Sequence, residues 1–201
     1  MFTTRKYLLI TAAVATAVTL SACTGGNTPG TDSEQTNSSS SQPSADASAA
    51  FNDADVTFAQ MMIPHHQQAV EMSDVILAKD GIDQRVLDLA TEIKAAQEPE
   101  ITQLNTWLTE WGADSSGMTG MDHGTDGMMS QGDMDALDAA TGVDASKLFL
   151  DQMTMHHQGA VDMAQTEIGQ GKNADAKKMA ETIVRTQTDE ISVMKDLLGT
   201  L

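Results

Sequence analysis

The sequence writes one short pattern twice. "FAQMMIPHHQQAVEM" runs from Phe58 to Met72, and "FLDQMTMHHQGAVDM" runs from Phe149 to Met163. Each copy sets two adjacent histidines, His65–His66 and His156–His157, among methionines at matching offsets: Met62 and Met72 in the first, Met153 and Met163 in the second. Imidazole nitrogen and thioether sulfur make a donor set for a soft ion. Thioether sulfur favours Cu(I) and contributes little for Fe(II), Mn(II) or Mg(II), which prefer oxygen. Met62 and Met153 stand three residues before the first histidine of each pair, a spacing at which helical side chains meet. Met72 and Met163 stand seven residues after it, on the same face but two turns away, and are weaker candidates.

A helix turns about 100° per residue. On that count Phe58, Met62, His65, Ala69, Met72 and Ile76 share one face, and Phe149, Met153, His156, Ala160, Met163 and Glu167 share another. His66 and His157 fall about 100° round, at the flank. A third face carries Ile93, Gln97, Glu100, Leu104, Trp107 and Trp111, and a fourth Ile183, Gln187, Glu190, Met194 and Leu197. Each apolar stripe has polar residues in its middle. If the stripes meet, His65, His156, Glu100, Glu190, Gln97, Gln187, Met62 and Met153 converge on one layer. Buried polar groups are costly unless paired or metal-bound. Two readings satisfy that rule. In one, Glu100 and Glu190 hydrogen-bond His65 and His156 and fix the register of the helices. In the other the layer is a metal site, with the glutamates orienting the imidazoles.

The elements that must position these residues read as helices throughout. Apolar residues recur at three and four, and β-branched residues form no alternating run. The pattern predicts helices near 53–79, 83–111, 144–170 and 174–198, with a short one near 131–140 opened by Ser130 as N-cap. Pro64 and Pro99 fall inside two of them and should kink the helix or shift a boundary. The repeat extends to the second helix of each pair: "ATEIKAAQEPEITQLNTWL" (Ala90–Leu108) matches "AETIVRTQTDEISVMKDLL" (Ala180–Leu198). Two copies of a helical hairpin predict an all-α, ferritin-like four-helix bundle with an approximate internal twofold, occupying 51–201. Its long connection, 113–130, is rich in Gly and Met. Met118, Met121, Met128, Met129 and Met134 lie in or beside it with His123. A solvated loop has no core to fill, so these donors suit Cu(I) capture.

The N-terminal part has a different character. Arg5 and Lys6, an apolar run from Tyr7 to Leu20 and "LSAC" read as an export signal over 1–22. "LSAC" resembles the bacterial lipobox, which makes Cys23 the expected lipidated N-terminus and membrane anchor. Cys23 is the only cysteine, so no intramolecular disulfide can form. Residues 23–50, rich in Ser, Thr and Gly, read as a flexible tether. The chain carries −18; loss of Arg5 and Lys6 leaves nine basic against 29 acidic residues, or −20. That balance disfavours nucleic acid and anionic lipid surfaces as partners and favours cations. No protein partner can be named from it.

"MMIPHHQQAVEM" and "MTMHHQGAVDM" resemble the M-x-x-H-H-x-x-A-x-x-M signature of the bacterial domain of unknown function family 305. "GMMSQGDMDALDAATGVDASKLFLDQMTMHHQGAVDMA" is similar to that family's loop-into-helix segment almost throughout. The resemblance covers about residues 52–200. It implies an exported, ferritin-like helical bundle, and a periplasmic copper-binding protein is among the members. It carries over Met62, His65, His66, Met72, Met153, His156, His157 and Met163 as candidate ligands. The departures are Thr154–Met155 in place of an Ile-Pro type pair, and Gln68 where the second copy has Gly159.

The expected function is that of an exported, membrane-anchored lipoprotein. It would bind copper, as Cu(I), for sequestration or delivery, and no enzyme chemistry is expected. One alternative is a di-iron oxidase of ferritin type, with Glu100 and Glu190 as lone carboxylates. Such sites use Glu-x-x-His, and here Met62 and Met153 stand where those glutamates would be. The other alternative is a metal-free surface protein whose His–Glu layer is purely structural.

Overall fold

Local sequence fixes most helix ends. Asn52 caps α1 (Asp53–Leu77): its side-chain oxygen accepts the Ala54 and Asp55 N–H groups, while Asp55 accepts the Asn52 N–H, a reciprocal capping box. Asp83 caps α2 (Gln84–Trp111), which ends where Gly112 turns left-handed at φ 67°. Ser130 opens α3 (Gln131–Ala139) with a second capping box through Asp133. α4 spans Gly142–Gln170, and Asn173 caps α5 (Ala174–Leu198). The computed structural model describes residues 50–114 and 127–201. The predicted signal, Cys23 and the tether to residue 49 lie outside them, as do Met118, Met121 and His123. Among the described residues no helix is long and apolar enough to cross a membrane.

Pro64 and Pro99 both sit inside uninterrupted helices, so neither shifts a boundary.

α1 pairs with α2 and α4 with α5, and the two hairpins meet through α1 against α4. α1 and α4 run antiparallel, since Asp55 at the start of α1 accepts the N–H groups of Lys172 and Asn173 after the end of α4. α3 lies on α1 and α4. The apolar stripes bury as two core clusters. One joins Phe58, Met62 and Ile63 to Leu104, Trp107, Ala160, Ala164 and Ile183. The other joins Ala69, Met72 and Ile76 to Ile93, Phe149, Leu150, Met153 and Met194. Each fully buried aliphatic or Met side chain contributes about 1.5–3 kcal/mol of transfer free energy. Along both α1 and α4 the histidine pair falls between the two clusters, so the polar layer divides the core in half.

Candidate metal centre

His65 and His156 meet across the α1/α4 seam. Their ring centroids lie 3.7 Å apart with planes inclined by 36°, and both residues are buried. The predicted convergence of the two copies is therefore real at its centre. Neither ring nitrogen of His156 has a hydrogen-bond partner. Burial, and then the neighbouring His65 ring, holds its pKa well below the ordinary 6.5. His156 is thus a neutral imidazole with free lone-pair capacity, the form in which histidine ligates metal.

The glutamates do not pair with these two rings, contrary to the sequence expectation. Glu100 Oε2 lies 2.8 Å from His66 Nε2, and Glu190 Oε2 lies 2.7 Å from His157 Nε2. His66 and His157 are not on an open flank either; both are fully buried. The reason is packing geometry. The 100° step from His65 to His66 turns the second ring out of the α1/α4 seam and into the α1/α2 contact, where Glu100 waits. The same step in α4 delivers His157 to α5 and Glu190. Helical-wheel arithmetic gives a direction, but not which helix occupies it. The carboxylates are about one-fifth exposed, while the imidazoles are closed off. Burial lowers the His157 pKa, opposed by the Glu190 carboxylate. The Nδ1 atoms of His66 and His157 have no hydrogen-bond partner.

The thioethers divide. Met62 and Met153 are fully buried beside the histidine layer, one in each core cluster. Met72 is fully buried too, but Met163 is not. Met163 lines an open cleft of about 460 Å³ between α1 and α4, together with Met61 and Phe58. The two positions are equivalent in the repeat and differ in cover: Leu137 of α3, with Met129 and Met134, packs into the cluster that holds Met72. This also corrects the reading of the connection as empty of core. Met129 and Met134 pack against the apolar cluster, so of the methionines in that segment these two have a structural role.

The end of the connection straps the seam. Gln68 of α1 donates to the Met129 carbonyl (2.9 Å) and accepts the Met129 N–H (2.7 Å). Gly127, at φ 78°, lies against α4: a Cβ there would stand 2.5 Å from the Met155 carbonyl oxygen, 3.0 Å from that of His156 and 3.1 Å from Gly159 Cα. Gln68 and Gly159 occupy equivalent places in the two copies. One clamps the strap, and the other makes room for it. The Gln68/Gly159 mismatch in the repeat thus has a tertiary cause.

Among the described residues no three His, Cys, Asp or Glu side chains converge as a ready metal-ligand group. A metal held here would need sulfur donors beside the imidazoles, and Met62 and Met153 are the thioethers buried on the same two helices.

No curated protein matches the chain. A DUF305 protein of Streptomyces coelicolor is 34% identical, with a TM-score of 0.67 over 73% of this chain and 91% of that one. A DUF305 fragment of Deinococcus radiodurans is 30% identical, with a TM-score of 0.68 over 75% and 98%. CopM in its Cu(I)-bound form is 31% identical, with a TM-score of 0.63 over 73% and 96%. CopM has also been crystallised with Cu(II) and with Ag. The family model for DUF305, a domain of unknown function, matches residues 55–198. With that match over most of its length, the chain belongs to the DUF305 family.

Proposed function

We propose that this protein is an exported copper-binding lipoprotein, held to the membrane by Cys23, whose bundle takes up Cu(I) at the His65/His156 layer. The observation that carries the reading is His156: a buried, neutral imidazole, both nitrogens without a hydrogen-bond partner, in contact with its repeat counterpart and flanked along the helices by Met62 and Met153. A buried polar ring left in this state costs free energy; an ion bound by it would recover that cost. The likeness to CopM, crystallised with Cu(I), supports the choice of metal. The role is binding, for sequestration or delivery, rather than turnover.

His66 and His157 would tune the layer from behind, each oriented by its glutamate. The di-iron alternative needs carboxylates converging on the histidine layer. Glu100 and Glu190 are instead each committed to their own outer histidine.

The test is metal analysis of the full chain from a host supplied with both copper and iron, beside a Cu(I) competition titration. Copper at tight affinity, lost on changing His65 and His156 to Gln, is the expected result. Iron without copper would hand the case to the oxidase, and no metal at all would leave the His–Glu pairs as purely structural. Anchoring is tested by Cys23→Ser, which should release the protein from membranes or leave the signal uncleaved.

A further inference from the structure

α3 has a seat at one end of the bundle, and the repeat supplies the equivalent place at the other. Leu137 of α3 is fully buried in the cluster with Met72 and Phe149, against which Val75 and Leu148 also pack. Two side chains of the bundle donate to α3 carbonyls: Gln152 to that of Asp133 (2.9 Å) and Lys79 to that of Asp138 (2.6 Å). In the other copy these six positions are Met163, Phe58, Thr166, Thr57, Met61 and Gln170. Every one of them lines the open cleft of about 460 Å³ between α1 and α4. The same two helices thus make the same groove twice, and among the described residues a helix lies over only one of the two.

Laying an amphipathic helix into an apolar groove is a common mode of recognition. The floor of the cleft, Phe58, Met61 and Met163, suits an aliphatic side chain, and thioethers adapt to its shape. The rim decides the charge of what can lie there. Asp53 and Asp162 stand on it, no lysine or arginine lines it, and Gln170 replaces the Lys79 that serves α3. α3 itself, with Asp133, Asp135 and Asp138, has the wrong sign for this rim, as has a second copy of a chain that carries −18.

We propose that this cleft docks a short amphipathic helix of a partner protein, one that inserts an aliphatic side chain where α3 inserts Leu137 and carries lysine or arginine on its flanks. The surface goes beyond the copper reading and needs no metal.

The probe is a fluorescent synthetic helix of residues 130–140 with Asp135→Lys and Asp138→Lys, both at exposed positions. A side-chain crosslink holds it helical, because so short a helix is marginal alone. The full chain already seats its own α3, so the equivalent place open to the peptide is the cleft. Anisotropy with the metal-free full chain should show saturable binding. The peptide with its native aspartates should bind at least about fivefold more weakly. Met61→Lys puts a cation in the cleft at a half-buried position outside the copper-ligand set. The lysine peptide should then bind at least about tenfold more weakly, with the fold retained by circular dichroism. Should that variant unfold, Asp53→Asn with Asp162→Asn on the exposed rim should weaken binding at least about threefold. No binding, equal binding of both peptides, or binding indifferent to the cleft variants overturns the proposal. Dimerisation in sedimentation that Met61→Lys abolishes would put a second copy in the cleft and overturn it too. Binding seen only after Met118→Ser with Met121→Ser would do the same by putting the chain's own connection there. Copper is absent throughout, so none of these outcomes bears on the copper reading.

Discussion

The two ends of the bundle are built from equivalent positions and behave differently. At one end Asp55 accepts the Asn173 N–H at 2.8 Å; at the other Ser146, its counterpart, accepts the Asp83 N–H at 3.4 Å. Glu167 faces Asp55 at the first end, and Ile76 takes its place at the second. Gln152, the counterpart of Met61, donates to the Asp133 carbonyl and so helps seat α3 over the second end. Among the described residues the first end has no such cover, and Met61 and Met163 line its open cleft. Between the ends, the His–Glu pairs are matched to within 0.1 Å. What both copies keep is the central layer; what they change is its surroundings. The layer both copies retain is His65 against His156 on the seam, with one His–Glu pair on either side of it.

Breaking the central layer should cost most. His66→Leu with His157→Leu strands both glutamates and removes two charge-assisted hydrogen bonds. The expected loss is roughly 1.5 kcal/mol for each pair, moderated by the partial exposure of the carboxylates. Denaturant unfolding checks it. The strap should come next. Gly127→Ala meets both a positive φ and the Met155 carbonyl, for about 1–2 kcal/mol. Gly159→Gln, which gives α4 the residue of α1, should likewise displace Gly127, while Gly112→Ala adds no new contact within 4 Å and bears only the φ cost. Equal losses at Gly127 and Gly112 would show that the strap is not seated on α4.

The polar end makes a pH prediction. Burial, and then the neighbouring Asp55 carboxyl, pushes Glu167 up to about 8 from its ordinary 4.5. Asp55 is held below 3.8 because the backbone hydrogen bonds it accepts from Asn173, Asn52 and Lys172 outweigh its burial. The unfolded chain sheds the Glu167 proton near pH 4.5 and the native state keeps it to about 8. The native state therefore binds more protons in that window, and stability falls as pH rises through it. Below the window, protonating Asp55 costs stability as well. Glu167→Gln removes the titrating carboxyl at nearly the same volume and should flatten the slope between pH 4.5 and 8 in thermal scans. An unchanged slope would mean that the carboxyl pair does not share a proton.

The smallest stability effect should fall on the ring to which the copper reading gives most weight. His156→Leu replaces an imidazole without hydrogen-bond partners by an apolar side chain, so melting should be unchanged or raised. This contrasts with the His157 change one residue away. A large destabilisation by His156→Leu would reveal a hydrogen-bonded, structural role for His156.

Much of this fold was legible because it is written in spacing. The three-and-four recurrence set the helix ranges, Ser130 was readable as an N-cap, and the repeat offset alone brought His65 to His156. The partner of each glutamate was not legible. A one-turn stripe cannot tell whether position 65 or 66 faces the neighbouring hairpin until the order of packed helices is known. Met163 was misplaced for a related reason: periodicity puts it on the inward stripe of α4 as it puts Met72 on that of α1, but α3 packs only at the end that holds Met72. The strap is a tertiary contact between a loop glycine and a helix backbone, and no local pattern encodes it.

The most direct test of the copper reading is a Cu(I) competition titration of the folded Met62→Leu, Met153→Leu protein against the parent chain. Leucine keeps the volume of both buried sites, so the fold should cost less than about 1.5 kcal/mol. Cu(I) affinity should fall at least about tenfold, or about 1.4 kcal/mol. Unaltered affinity in the folded double variant would remove the thioethers from the site and contradict a soft-metal centre at the histidine layer.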